Sequence, residues 1–310
     1  MIAKDLEDYK GFFPANPTPV TDGQGVREDA LRAILEYDIE NGAGGFWLAG
    51  TTGEGPILSE KQRRETAEIS SDVCKGRVKT IMHVGGITTE LSIAGAKAAK
   101  ESGCDSICLL PPFLYAIDEQ GVLDFYKEIS DACDNLPFFV YNLPQITGIE
   151  FVPGNASAPG QVSMHKVVEQ VPNVAGLKHS AANQAMIPVF KDMGLACFSG
   201  NGFLPLPSLT LGAVGTVDAP LSIIPSVYND LYTAWVSGDL ATANDTVAAV
   251  SSSTRICFGG GREPSIVNRI QFVEIATTSN ATDFGDLTVA RTFHPACSNN
   301  TRGVFGSGST

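Results

Sequence analysis

Positive charge is what this chain has least of. Its 310 residues hold 21 Lys and Arg against 34 Asp and Glu, a formal net charge of −13. Gripping a nucleic-acid backbone needs a basic surface, so that class of partner is excluded. A small anionic substrate is not, because it responds to local donors rather than to total charge. No apolar run is long enough to cross a bilayer, which excludes a membrane-spanning protein and leaves no membrane partner expected. The opening residues Met1-Ile2-Ala3-Lys4-Asp5-Leu6-Glu7-Asp8 are acidic and lack the apolar stretch of a secretory leader, so the expectation is a cytoplasmic protein. Its seven cysteines (74, 104, 108, 133, 197, 257, 297) include no CxxC pair and sit mostly in apolar segments, which reads as reduced core thiols. The Asn-x-Ser/Thr triplets at Asn155, Asn244, Asn280 and Asn299 are then chance matches. Histidine is scarce as well: His83, His165, His179 and His294 show no metal-ligand spacing, so no metal site is expected.

What is present is an ordinary globular composition, 43% hydrophobic and 18% charged, at a length that suits two small domains or one large barrel. Short apolar runs recur at intervals of roughly 25 to 40 residues, each followed by a stretch of helical period. The runs are 11–20, 44–50, 78–85, 106–112, 137–143, 174–180, 196–200 and 213–217. Helices are expected between them, over 27–41, 59–75, 90–102 and 119–134, and Ser59 with Gln62 forms a capping-box pattern at the start of the second. Near-continuous apolar strands alternating with helices indicate a parallel sheet, and eight such units close a (β/α)8 TIM barrel. An open doubly wound sheet would carry a glycine fingerprint after its first strand, which Gly11-Phe12-Phe13-Pro14 lacks. The barrel is expected over 1–222. Helices at 222–236, 240–257 and 264–277 would form a C-terminal helical region over 223–295, and the Asn/Ser/Gly/Thr-rich stretch 296–310 would be a disordered tail.

One lysine stands out. Lys178 lies in the apolar run Val174-Ala175-Gly176-Leu177-Lys178-His179-Ser180. Burial disfavours the charged form of an amine, and the neutral amine is a nucleophile toward carbonyl carbon. Barrel catalysis happens at the C-terminal ends of strands, where Lys178 falls; Lys79 opens its strand and belongs to the other rim. One strand earlier, Phe138-Phe139-Val140-Tyr141-Asn142 brings Tyr141 to the same rim, where a phenol can shuttle protons. The second strand ends Gly50-Thr51-Thr52-Gly53-Glu54-Gly55, whose backbone amides and two hydroxyls suit a carboxylate. Alternation turns Ser180 the same way as Lys178 and His179 toward the helices. Gly200 and Val217, ending the seventh and eighth runs, and Ile146, after Tyr141, complete the candidate substrate-binding set with Thr52 and Gly50. Asp218 has two readings, a binder of a substrate hydroxyl or the cap of the next helix. Together these groups suit capture of a 2-oxo acid such as pyruvate as an imine, followed by making or breaking a bond at the adjacent carbon. No Ser/His/Asp grouping for a hydrolase occurs at this rim.

Over roughly residues 8–280 the sequence resembles the dihydrodipicolinate synthase / N-acetylneuraminate lyase family of pyruvate-dependent class I aldolases. The matching motifs are Gly50-Thr51-Thr52-Gly53-Glu54, Tyr141-Asn142-Leu143-Pro144 with Thr147-Gly148, and Gly176-Leu177-Lys178. The resemblance implies Lys178 as Schiff-base lysine, Tyr141 as proton relay with Thr51 sharing that role, and Thr51 and Thr52 at the pyruvate carboxylate. It implies no cofactor beyond the imine on Lys178, and a homo-oligomer, dimer or tetramer. The chain departs from the synthase pattern where an arginine for the second substrate is replaced by Ile146, and where a tyrosine offered to a neighbouring subunit is replaced by Leu114, beside Tyr115. Isoleucine has none of arginine's bidentate donors. The stretch Ile81-Met82-His83-Val84-Gly85 is closer to the lyases, yet the acidic pair with which those hold a sugar is absent from the segment after Gly200, which reads Asn201-Gly202-Phe203-Leu204. The expectation is therefore an N-acetylneuraminate-lyase-like enzyme cleaving a smaller or less hydroxylated 2-oxo acid to pyruvate and an aldehyde. The alternatives are 4-hydroxy-tetrahydrodipicolinate synthase and an inactive pyruvate-binding homologue.

Overall fold

The computed structural model describes residues 6–22, 25–133 and 136–239, and beyond them the backbone of eight short strands. Contacts divide the chain into two units, Met1–Asn229 and Asp230–Thr310. In the first, strands and helices alternate: β1 (Gly11–Phe12), α1 (Glu28–Glu40), β2 (Gly45–Leu48), α2 (Glu60–Cys74), β3 (Lys79–His83), α3 (Thr89–Glu101), β4 (Ser106–Leu109), α4 (Glu119–Ala132) and β5 (Phe138–Asn142). There follow α5 (Pro144–Thr147), β6 (Glu150–Val152), β7 (Gln161–Ser163), α6 (Met164–Gln170), β8 (Val174–His179), α7 (Ile187–Asp192), β9 (Ala196–Ser199), α8 (Pro205–Thr210) and β10 (Gly215–Thr216). Eight of these strands pair in parallel in the order β1-β10-β9-β8-β5-β4-β3-β2. The circle closes where Ala15 bridges Trp47 and the Trp47 amide donates to Pro14 O. All eight barrel runs of the sequence are strands, and the fold is the expected (β/α)8 barrel. The small parallel pair β6–β7, three residues a strand, is an addition too short for periodicity to announce.

Alternate residues of each strand fall into two apolar clusters. Phe46, Leu48, Met82, Leu109 and Val140 join the helical side chains Leu31, Leu35, Ala96 and Val122. Trp47, Ile81, Cys108, Phe139 and Phe198 form a second set that includes no residue of these helices. The second set is the barrel interior, the first the layer under the helices, and each buried aromatic or leucine contributes about 1.5–3 kcal/mol. The five described cysteines, 74, 104, 108, 133 and 197, are free and buried within these layers.

The capping box at α2 is complete: the Gln62 amide donates to Ser59 Oγ, and the Ser59 amide donates to Gln62 Oε1 at 2.8 Å. Ser59→Ala should lower stability by about 1 kcal/mol, read as an urea midpoint shifted at constant slope.

Helix α9 (Pro225–Ser237) matches the expectation at 222–236. The helices expected over 240–257 and 264–277 are not formed by the described residues there. These are strands: β11 (Ala248–Ser251), β12 (Arg255–Gly259), β13 (Arg262–Glu263), β14 (Ser265–Ile266) and β15 (Arg269–Glu274), with β16 (Thr282–Asp286) pairing β15. Isoleucine, valine and phenylalanine in short alternating runs, cut by glycine, favour strands over helix. Within the tail expected to be disordered, β17 (Ala296–Ser298) pairs β18 (Gly303–Phe305). The remaining positions of these segments lie outside the described residues. Among the described residues no helix is long and apolar enough to cross a membrane, and no cluster of His, Cys, Asp or Glu is arranged to hold a metal ion.

Candidate active site

A bulge sets the lysine. Phe138 pairs with Val174 but Phe139 pairs with Gly176, so Ala175 is an extra residue in β8 and the faces shift phase there. Downstream of it Leu177 packs in the outer layer, while Lys178, the register partner of Tyr141, points inward. Glycine at 176 is required by space, since a Cβ there would stand 2.0 Å from Ala196 O and 2.9 Å from Phe139 Cε1. Lys178 is 4% exposed, its Nζ 4.7 Å from the Tyr141 ring centroid and 5.5 Å from that of Trp47. No carboxylate pairs with it among the described residues.

The Tyr141 hydroxyl lies 3.4 Å from Thr51 Oγ1, joining β5 to the loop after β2. That loop is tightly folded: the Gly55 amide donates to Gly50 O and the Glu54 amide to Thr51 O. A Cβ on Gly55 would lie 1.7 Å from Ala49 O. The left-handed positions fall on Ala49 (φ 49) and Glu54 (φ 56), a strained backbone for residues with a Cβ. The amides of Thr51, Thr52 and Gly53 meet no acceptor among the described residues. Successive unbonded N–H groups beside two hydroxyls can hold an anion.

Gly200 and Ser180 flank the lysine, for a Cβ on Gly200 would meet Ser180 Oγ at 1.9 Å and Lys178 Cε at 3.0 Å. Val217 is fully buried in the interior cluster with Tyr141. Asp218 acts as a cap: Oδ1 accepts from the Ala219 amide at 2.8 Å and Oδ2 from the Gly202 amide at 2.7 Å. Ile146 stands on α5, 58% exposed, and Leu114, Tyr115 and Phe203 are exposed as well. His179 faces away as expected: Asn142 Nδ2 donates to its Nδ1, its Nε2 donates to Asn183 O, and burial lowers its pKa.

Two interior groups escaped the sequence reading. Trp47 is the platform beside the amine, and His83 sets its ring edge-on to Tyr141 at 6.4 Å. Burial, with Arg63 and Lys178 acting the same way, pushes His83 down to about 3, so it is a neutral imidazole whose Nε2 accepts from the Leu110 amide. Counting alternate positions along β2 and β3 would have found both.

A buried amine, a phenol-hydroxyl pair and a cradle of unbonded amides thus share one rim. The dihydrodipicolinate synthetase family matches residues 8–260 of this chain. The 4-hydroxy-tetrahydrodipicolinate synthase of Salinibacter ruber is 30% identical over 253 residues, 81% of each chain. That of Thermus thermophilus is 28% identical over 240 residues, covering 76% of this chain and 77% of its own. Among solved structures, the wild-type sialic acid aldolase of Ruminococcus gnavus matches with a TM-score of 0.69 at 25% identity, over 76% of each chain.

Proposed function

The chain belongs to the dihydrodipicolinate synthetase family and is a carbon-carbon lyase of the pyruvate-dependent class I aldolase type, and from that premise we propose that it joins pyruvate to a small aldehyde through an imine on Lys178. The observation that carries this reading is the buried amine of Lys178 in register with Tyr141. The amine attacks the 2-oxo carbon, and the carbinolamine loses water. Thr51, Thr52 and the open amides hold the carboxylate, while Tyr141 and Thr51 carry the protons exchanged during addition and dehydration. Loss of a methyl proton gives the enamine, whose carbon attacks the aldehyde, and hydrolysis frees Lys178. Val217, Ser180 and Gly200 border the bound acid. Among aldehydes, the names of the curated relatives favour aspartate semialdehyde and reverse the order in which the sequence alone ranked synthase and lyase. The partners are then small molecules alone, with no cofactor beyond the imine, in a cytoplasmic homo-oligomer.

The test is intact mass after pyruvate and borohydride, followed by condensation rates with aspartate semialdehyde and with N-acetylmannosamine. A pyruvyl adduct and turnover of the semialdehyde are expected. Turnover confined to N-acetylmannosamine would return the lyase reading, and a folded protein that forms no adduct would end both.

A further inference from the structure

Behind the cradle lies a pair that the chemistry above does not use. Asp38, on α1, is fully buried, and Asn16, just past β1, is 1% exposed. Asn16 Nδ2 donates to Asp38 Oδ2 at 2.8 Å. The other oxygen of each side chain, Asn16 Oδ1 and Asp38 Oδ1, finds no hydrogen-bond partner among the described residues. Two bare acceptors in one buried pair are costly, and an ionised carboxylate has no donor with which to relieve them. A proton on Asp38 Oδ1 relieves both at once by donating to Asn16 Oδ1, closing a ring of two hydrogen bonds.

We infer that Asp38 is a protonated carboxylic acid in the folded protein, doubly hydrogen-bonded to Asn16, and that this pair positions the Ala49–Gly55 cradle so that ionising Asp38 weakens pyruvate binding. The link to the cradle is short. A Cβ on Gly53 would meet Asn16 O at 3.0 Å and Ala49 Cα at 2.9 Å, so the Asn16 main chain packs directly against Gly53. Its neighbour Ala15 is fixed on both sides, bridging Trp47 and donating its amide to Asp218 O. Burial pushes Asp38 up to about 8, with the Asn16 amide pulling the other way. Ionisable groups on the neighbouring elements are otherwise engaged or exposed. On α1 and α2, Arg32 pairs with Glu28 and Asp72, and Glu65 with Lys61; Glu36 pairs with Arg77. Glu40 and Glu54 are not among the influences on Asp38, Asp218 is bound to two amides, and the Tyr228 hydroxyl donates to Gly202 O.

The part about binding rests on the proposed pyruvate site; the part about protonation does not. An acid whose folded value is raised from 3.8 to about 8 keeps its proton in the folded chain while the unfolded chain has lost it. Stability therefore falls as pH rises through that window and levels off above it. Asp38→Asn preserves both hydrogen bonds as an amide-amide ring and cannot ionise. Three readouts follow. The melting temperature of the parent should decline between pH 4 and 8 more steeply than that of Asp38→Asn. A carboxylic-acid carbonyl band should be present in the infrared spectrum of the parent at neutral pH and missing from Asp38→Asn. The half-saturating pyruvate concentration for borohydride trapping should rise from pH 6 to pH 9 by several-fold more in the parent than in Asp38→Asn, while Asp38→Ala should bind weakly at both. Parallel melting curves and no difference band would overturn the pair. Equal pyruvate ratios with a confirmed pair would overturn its positioning role. If the parent traps no pyruvate at any pH, the proposed function fails, and the melting and infrared comparisons still decide the protonation of Asp38.

Discussion

Lys178→Met should leave a folded barrel whose turnover has fallen by more than about a thousandfold, the scale lost when a covalent nucleophile is removed from a group that acts as a unit. Methionine keeps the unbranched chain that lies between Tyr141 and Trp47 and loses only the amine. Stability should therefore hold or improve, because a buried polar nitrogen without a carboxylate partner is replaced by apolar bulk. The pyruvyl mass shift after borohydride should vanish. Tyr141→Phe supplies the contrast. It removes the hydroxyl beside Thr51 but leaves the amine, so the adduct should still form, only more slowly. A Lys178→Met protein that kept near-parent turnover would place the covalent chemistry elsewhere.

What the sequence disclosed and what it hid follow from how far apart the interacting residues lie. The eight barrel strands and the α2 cap rest on local periodicity and short-range pattern, and these are written in consecutive residues. The cradle was visible as a composition, Gly50-Thr51-Thr52-Gly53, but its left-handed turns fall on Ala49 and Glu54, where no residue type announces them. Asp218 could be a ligand or a cap by sequence; only the two amides at its oxygens separate these. Trp47 and His83 needed the interior face of each strand to be assigned. The Asn16–Asp38 pair, joining residues 22 apart, has no local signature at all. Beyond Ser237 the error ran the other way, for spaced apolar residues at 248–274 were counted as helical when β-branched and aromatic alternation was the stronger signal.

The bulge ahead of Lys178 was also hidden, and Gly176→Ala is the substitution that exposes it. Alanine's methyl would stand 2.0 Å from Ala196 O and 2.8 Å from Ala196 C, backbone atoms of β9 that pairs with β8 along its length. A flexible side chain could swing away from such a contact; a strand in the middle of a closed barrel cannot, and Phe139 Cε1 at 2.9 Å blocks the other direction. The loss should be at least about 3 kcal/mol, at the upper end of overpacking effects and enough to lower the melting temperature by about 6 °C or more in a domain of this size. Gly154→Ala is the matched control. Its Cβ would meet nothing within 4 Å, and its φ lies outside the left-handed range, so its effect should stay within about 0.5 kcal/mol. Because Gly176 and Lys178 follow the same bulge, any Gly176→Ala protein that folds should trap pyruvate more slowly than its residual stability alone explains. A melting temperature equal to the Gly154→Ala control would mean that β8 and β9 do not approach as closely as the glycine requires, and the phase that turns Lys178 inward would need another cause.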